Sequence, residues 1–175
     1  MNCKIVEKQA FRVLEKVGIH STAGDENKRT IPAFWERARG DGTLALLQRI
    51  AADKSADKTR LFGICYGSEP FGSEPFGNEP TDANTFPYSI AVPYDGNDPA
   101  PDGFRVREIP AATWAVFPIV GAMPDAIQNA WQQICAEFLP TSGYRQALNM
   151  DMEAYMEGDM SSPDYRSEIW LPVAK

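Results

Sequence analysis

A chain of 175 residues, 43% hydrophobic and 23% charged, has a globular balance and enough length for one domain with its own core, which excludes disordered and fibrous classes. Its net charge of -7 opposes direct nucleic-acid binding, since phosphate recognition rests on clustered Lys and Arg. No apolar run reaches signal or membrane length, and Cys3, Cys65 and Cys135 are too scattered for a disulfide framework or a zinc site, so a soluble cytoplasmic protein is expected.

In chain order, Phe11 to Val17 has the Val and Phe content of a first strand. A polar turn, Ser21 to Lys28, leads to Thr30 as a helix cap with Pro32 in the first turn, and Ile31, Phe34, Trp35 and Ala38 recur at helical spacing. Gly40-Asp41-Gly42 interrupts this helix before a second piece, Thr43 to Ala52. Leu61 to Tyr66 reads as a strand in which Gly63 marks a bulge or a close approach by another group.

A tandem follows: Ser68-Glu69-Pro70-Phe71-Gly72 is repeated as Ser73-Glu74-Pro75-Phe76-Gly77. Pro and Gly at this density cannot continue a strand or helix, so 67–84 is an expanded loop, either a linker or a lid carrying Phe71 and Phe76. Thr85 to Pro93 is a strand, and Tyr94 to Gly103 a turn-rich link. Asp95, Asn97 and Asp98 resemble the start of a calcium loop, but Pro99 stands in place of a ligand and Val106 in place of the closing Glu, leaving a plain loop. Phe104 to Ile109 and Thr113 to Ile119 form two strands hinged at Pro110. Met123 to Phe138 is the clearest helix, with Ile127, Ala130, Trp131, Ile134 and Phe138 on one stripe. Leu148 to Met156 and Glu168 to Val173 supply the last strands.

Strand, helix, strand, strand therefore occurs twice, in halves of about 1–94 and 103–175 of a single domain. Ser89-Ile90-Ala91-Val92-Pro93 echoes Glu168-Ile169-Trp170-Leu171-Pro172, with Ser89 opposite Glu168 and Ala91 opposite Trp170. The expected fold is α+β: tandem β-α-β-β units with antiparallel sheets, helices on one face and a ligand groove on the other.

Chemical machinery is sparse. His20 is the single histidine and lies in a polar turn, so neither a nucleophilic triad nor a histidine-built zinc site is present, and no phosphate-cradling loop calls for a nucleotide cofactor. What remains is aromatic: Trp35, Tyr66, Tyr88, Trp114, Phe117 and Trp170, with Glu153 and Glu168 on the final strands. Alternation puts Glu168 and Trp170 on one strand face. Such a pair can receive a soft cation; the alternatives are an edge-strand Glu beside a core Trp, or a Glu satisfied by Arg105 or Arg107.

Ile31-Pro32-Ala33-Phe34-Trp35, Phe86-Pro87-Tyr88-Ser89-Ile90-Ala91-Val92, Gly103-Phe104, Ile109-Pro110-Ala111-Ala112-Thr113-Trp114-Ala115-Val116-Phe117, Trp131 with Ile134, Met152-Glu153-Ala154-Tyr155 and Glu168-Ile169-Trp170-Leu171-Pro172-Val173 resemble, in order, the GyrI-like effector-binding domain. That module senses ligands in AraC-type and MerR-type multidrug regulators. The resemblance implies a cleft for lipophilic cations with Glu168 as counter-ion, Trp114 as a wall, and Tyr88 at the family's tyrosine. Alternation, however, turns Tyr88 to the face opposite Ser89. With strands beginning by Phe11, no helix-turn-helix is expected, and freestanding relatives resemble integron-cassette drug-binding proteins. The leading expectation is thus a stand-alone receptor for hydrophobic cations rather than an enzyme. Some relatives are hydrolases of strained electrophiles, which would make Glu168 a general base, and others modulate a topoisomerase or a regulator as protein partners.

Overall fold

The computed structural model describes residues 2–54, 61–67 and 84–175; the tandem with Phe71 and Phe76 lies outside the described residues. The strands are β1 (Lys4–Lys8), β2 (Phe11–Ser21), β3 (Leu61–Tyr66), β4 (Thr85–Pro93), β5 (Arg105–Ile109), β6 (Ala112–Val120), β7 (Arg145–Gln146), β8 (Met150–Tyr155) and β9 (Arg166–Ala174). The helices are α1 (Asn27–Gly40), α2 (Thr43–Lys54) and α3 (Asp125–Gln133), the last continuing through a π turn, Ile134–Phe138, and a final turn, Leu139–Thr141. All strand pairs are antiparallel, in the order β1-β6-β9-β8-β3-β4-β2-β5 with β7 beside β9. The fold is α+β, as expected.

Three elements differ from expectation, the first being β7, a two-residue strand that forms by pairing with β9. β1 was not anticipated, because Lys4-Ile5-Val6-Glu7-Lys8 is short and charged; it forms by pairing with β6. α1 begins at Asn27 instead of at Thr30: the turn at Ala23–Asp25 feeds directly into it, with the Ala23 N–H donating to Ser21 Oγ at 3.1 Å. Thr30 Oγ1 instead meets His20 Nδ1 at 2.9 Å. Asp41 Oδ1 accepts the Thr43 N–H at 2.9 Å and so opens α2.

The sheet curls until its ends meet. β1 and β2 lie towards opposite ends of the strand order yet are joined by Gln9-Ala10 alone, and β5 and β6 by Pro110-Ala111. Phe11 on β2 stands four strands from Trp170 on β9, roughly 19 Å along a flat sheet. Their ring centroids are nevertheless 6.4 Å apart. The inner face thus becomes a core of Val13, Phe62, Ile64, Tyr66, Trp114, Met152 and Trp170. Trp170 meets Phe62 at 5.5 Å and Trp114 at 6.1 Å, both edge to face, geometry that contributes about 0.5–1.5 kcal/mol per pair beyond burial.

On the outer face the helices cover the two ends. Phe34, Ala38, Leu47 and Ala51 of α1 and α2 pack on Leu14, Ile90 and Val92. Ile127 and Ala130 of α3, with Ile134, pack on Ala115, Phe117, Ile169 and Leu171. No helix among the described residues is long and apolar enough to cross a membrane.

If closure makes the inner aromatics a core, Trp170→Ala should cost about 3–5 kcal/mol in urea unfolding. Val120→Ser, at a position 63% exposed, should stay within about 0.5 kcal/mol.

Candidate functional site

With helices over both ends of the sheet, the helix side of the middle strands β3 and β8 is left between α1 and α3. Period-two alternation puts Asp151, Glu153 and Tyr155 of β8 on that side, while Met150, Met152 and Ala154 enter the inner core. Beside them on β3 are Gly63 and Cys65, in register with Glu153 and Asp151. Asp151, Glu153, Tyr155 and Cys65 are half-buried and Tyr88 of β4 is buried.

Two indoles converge here, one from each helical layer. Trp131 of α3 donates Nε1–H to Glu153 Oε1 at 2.8 Å, and Tyr155 donates its hydroxyl to Glu153 Oε2 at 2.6 Å. Trp35 of α1 donates Nε1–H to the Tyr88 hydroxyl at 3.0 Å and meets the Tyr155 ring edge to face at 5.3 Å. Gly63 makes room for this: a Cβ there would lie 2.1 Å from the Tyr88 hydroxyl and 3.5 Å from Glu153 Oε2. The close approach expected at Gly63 is that of Tyr88.

This cluster is electronegative. Burial, then the neighbouring Glu153, pushes the Asp151 carboxyl up to about 8. Burial raises Glu153 as well, against the lowering effect of the Tyr155 and Trp131 hydrogen bonds. Burial lifts Cys65 far above its usual range, with Asp151 and Glu153 adding to the effect, so the thiol is poorly nucleophilic. Among the described residues no Lys or Arg pairs with Asp151 or Glu153. Glu15 on the inner face is the opposite case: Arg105 Nε and Arg107 Nε each donate to its Oε1 at 2.8 Å and Tyr66 to its Oε2 at 2.7 Å.

The structure divides the sequence candidates between the two faces. Glu153, Trp35 and Tyr88 come together on the helix side, and Phe117 lies under α3, packed on Phe138 at 4.9 Å. Glu168, Trp170, Trp114 and Tyr66 lie on the inner face. Glu168 does share a face with Trp170 and accepts its Nε1–H at 2.7 Å. The Trp170 ring, however, already has a cation, Lys8 Nζ at 4.1 Å from its centroid, and Trp114 is wholly buried. Arg105 and Arg107 serve Glu15, not Glu168. His20 is buried beside Tyr88, its rings 5.8 Å apart, and burial followed by the charge of Arg37 lowers its pKa. Asp151, Tyr155 and Trp131 were missed as site residues, although Asp-Met-Glu-Ala-Tyr already alternates polar with apolar. Two cavities of about 390 and 510 Å³ lie elsewhere, one beside Gly18 and Arg105, the other between Ile50 and Tyr94. No group of three potential metal ligands occurs among the described residues.

The GyrI-like small molecule binding domain model matches residues 1–174. The chain belongs to the GyrI-like family. This GyrI-like chain is similar to SAV2435, solved bound to tetraphenylphosphonium, with a TM-score of 0.78 and 21% identity over 99% of this chain and 94% of that one. It is similar to an integron cassette protein from the mobile metagenome of Vibrio cholerae, with a TM-score of 0.60 and 20% identity over 98% and 95%. The EcmrR C-terminal domain aligns with a TM-score of 0.59 and 16% identity over 99% and 98%. At these identities the likeness is one of fold. No curated protein sequence matches the GyrI-like chain significantly.

Two outcomes follow from the cleft. Gly63→Ala should push Tyr88 aside, break its bond to the Trp35 indole and destabilise the fold by about 1–3 kcal/mol, read as a moved indole N–H resonance and a lower urea midpoint. The folded chain holds a proton on Asp151 up to about pH 8, whereas the unfolded chain releases it near pH 4. Folded protein thus binds more protons in that window, and this group's contribution makes stability fall as pH rises through it. Asp151→Asn should flatten the fall in a series of urea midpoints from pH 5 to pH 8.5.

Proposed function

We propose that this GyrI-like domain binds lipophilic organic cations in the cleft between α1 and α3, with Glu153 as the counter-charge and Trp35, Trp131, Tyr155 and Tyr88 as aromatic walls. The observation that carries this is a half-buried carboxylate whose partners, Trp131 and Tyr155, are both neutral donors. A carboxylate out of water costs several kcal/mol when no cation accompanies it, and an incoming cation offsets that cost. The aromatic faces around it each add about 0.5–2 kcal/mol for a desolvated cation. A neutral ligand gains only the apolar part of this. That SAV2435 is seen with tetraphenylphosphonium accords with the same ligand class.

On this reading the counter-charge is Glu153 in preference to Glu168. The Glu168 carboxylate is engaged by Trp170, whose ring in turn carries the Lys8 ammonium, so that pair is satisfied from within the chain.

Tryptophan fluorescence separates the two glutamates. Titrated with tetraphenylphosphonium, Glu153→Gln should lose at least about tenfold in affinity, the scale of one lost charge-assisted contact, while Glu168→Gln should bind like the native protein. Trp35→Ala and Trp131→Ala should each lose roughly 2- to 30-fold. Undiminished binding by folded Glu153→Gln would sink the assignment.

A further inference from the structure

The proposed cleft includes a second carboxylate, Asp151, that binding of one positive charge leaves unused. Asp151 and Glu153 sit on the same face of β8, two residues apart, so their Cα atoms are separated by roughly 6.6 Å. Glu153 has two hydrogen-bond donors, whereas among the described residues none donates to Asp151 and no cation faces it. The titratable groups around Asp151 are Glu153 on its own strand, Cys65 on β3 and Tyr88 on β4, with Tyr155 beyond Glu153 and His20 behind Tyr88. The helices contribute the uncharged indoles Trp35 and Trp131. Every neighbour that ionises at neutral or alkaline pH becomes negative, so the surroundings disfavour a second anion until a second cation arrives.

We propose that the cleft selects aromatic dications whose two positive centres are about one strand repeat apart, one centre held by Glu153 and the other by Asp151. This rests on the assignment of Glu153 as counter-charge. A monocation neutralises Glu153 and leaves Asp151 protonated. A dication takes both carboxylates and expels the Asp151 proton to solvent, so its binding is coupled to pH where that of a monocation is less so. The raised titration of Asp151, up to about 8, sets the window.

The test compares 1,1′-dimethyl-4,4′-bipyridinium, a flat dication, with 1-methyl-4-phenylpyridinium, a monocation of the same outline. Calorimetry of the native protein in two buffers of different ionisation heat counts protons released. Dication binding at pH 6 should release close to one proton more than monocation binding. The ratio of the two affinities should rise at least about tenfold between pH 6 and pH 9, the scale that one linked proton sets. Asp151→Asn should abolish both the pH-dependent ratio and the extra proton. Equal proton release by the two ligands, or a ratio that does not change with pH in the native chain, overturns the proposal. Loss of monocation binding in Glu153→Gln, measured alongside, keeps the underlying assignment separate: if that variant still binds both ligands as the native chain does, the Glu153 reading has failed, and not merely the second carboxylate.

Discussion

The constraint on which the structure depends is the pair of two-residue links, Gln9-Ala10 and Pro110-Ala111, that tie opposite ends of one sheet together. Links this short leave no path around a flat sheet of this width, so the sheet must curl. Curling converts one face into an interior, and the interior must be filled to the density of any protein core. Trp114, Trp170, Phe62 and Tyr66 supply that volume. They are large, aromatic and near a carboxylate, yet their position is set by closure. Trp114 even buries its Nε1–H without a partner, a cost of about 1–3 kcal/mol that the surrounding packing offsets.

Closure also decides where chemistry can occur. With the inner face filled, the outer face carries the helices, α1 and α2 over one end and α3 over the other, with Leu61 and Cys65 of β3 packed at the margin of the first cluster and Tyr155 of β8 at the margin of the second. The two buried-side glutamates of this molecule then differ in kind. Glu15 is wholly buried and compensated by Arg105 and Arg107, an arrangement complete without a ligand. Glu153 is held, among the described residues, by neutral donors, and the Asp151 carboxyl beside it is pushed up. Removing an arginine from Glu15 would strand a buried charge; supplying a cation to Glu153 relieves one.

The sequence carried the fold through periodicity. Strand limits at Leu61–Tyr66 and Thr85–Pro93, the Gly40-Asp41-Gly42 break and the α3 stripe were legible because each depends on local spacing. β1 was not, since Lys4–Lys8 becomes a strand through its partner β6 rather than through its own residues. Thr30 misled for a similar reason: its hydroxyl answers to His20, ten residues earlier and across the helix–sheet boundary. For the site, alternation correctly put Glu168 beside Trp170 and turned Tyr88 away from Ser89. What alternation cannot tell is which face of a strand closes upon itself, because that depends on how far apart in the sheet the linked strands lie.

The same rule, applied to β8, contains more than was taken from it. Asp151-Met152-Glu153-Ala154-Tyr155 sends two carboxylates and a phenol to one side and Met152 and Ala154 to the other, and the apolar pair could fit only a core. The polar trio therefore had to face something else. Two acidic groups on alternate residues of a central strand repel each other and lose hydration together, and natural cores rarely keep such a pair without a cation. Trp35 and Trp131 bring aromatic surface to that trio from two helices nearly a hundred residues apart in the chain, and neither contributes a charge. An arrangement that concentrates negative potential, supplies quadrupolar walls and, among the described residues, brings no cation to its carboxyls is stable only to the extent that its protons stay on, and on the proposed reading those protons are what a cationic ligand displaces.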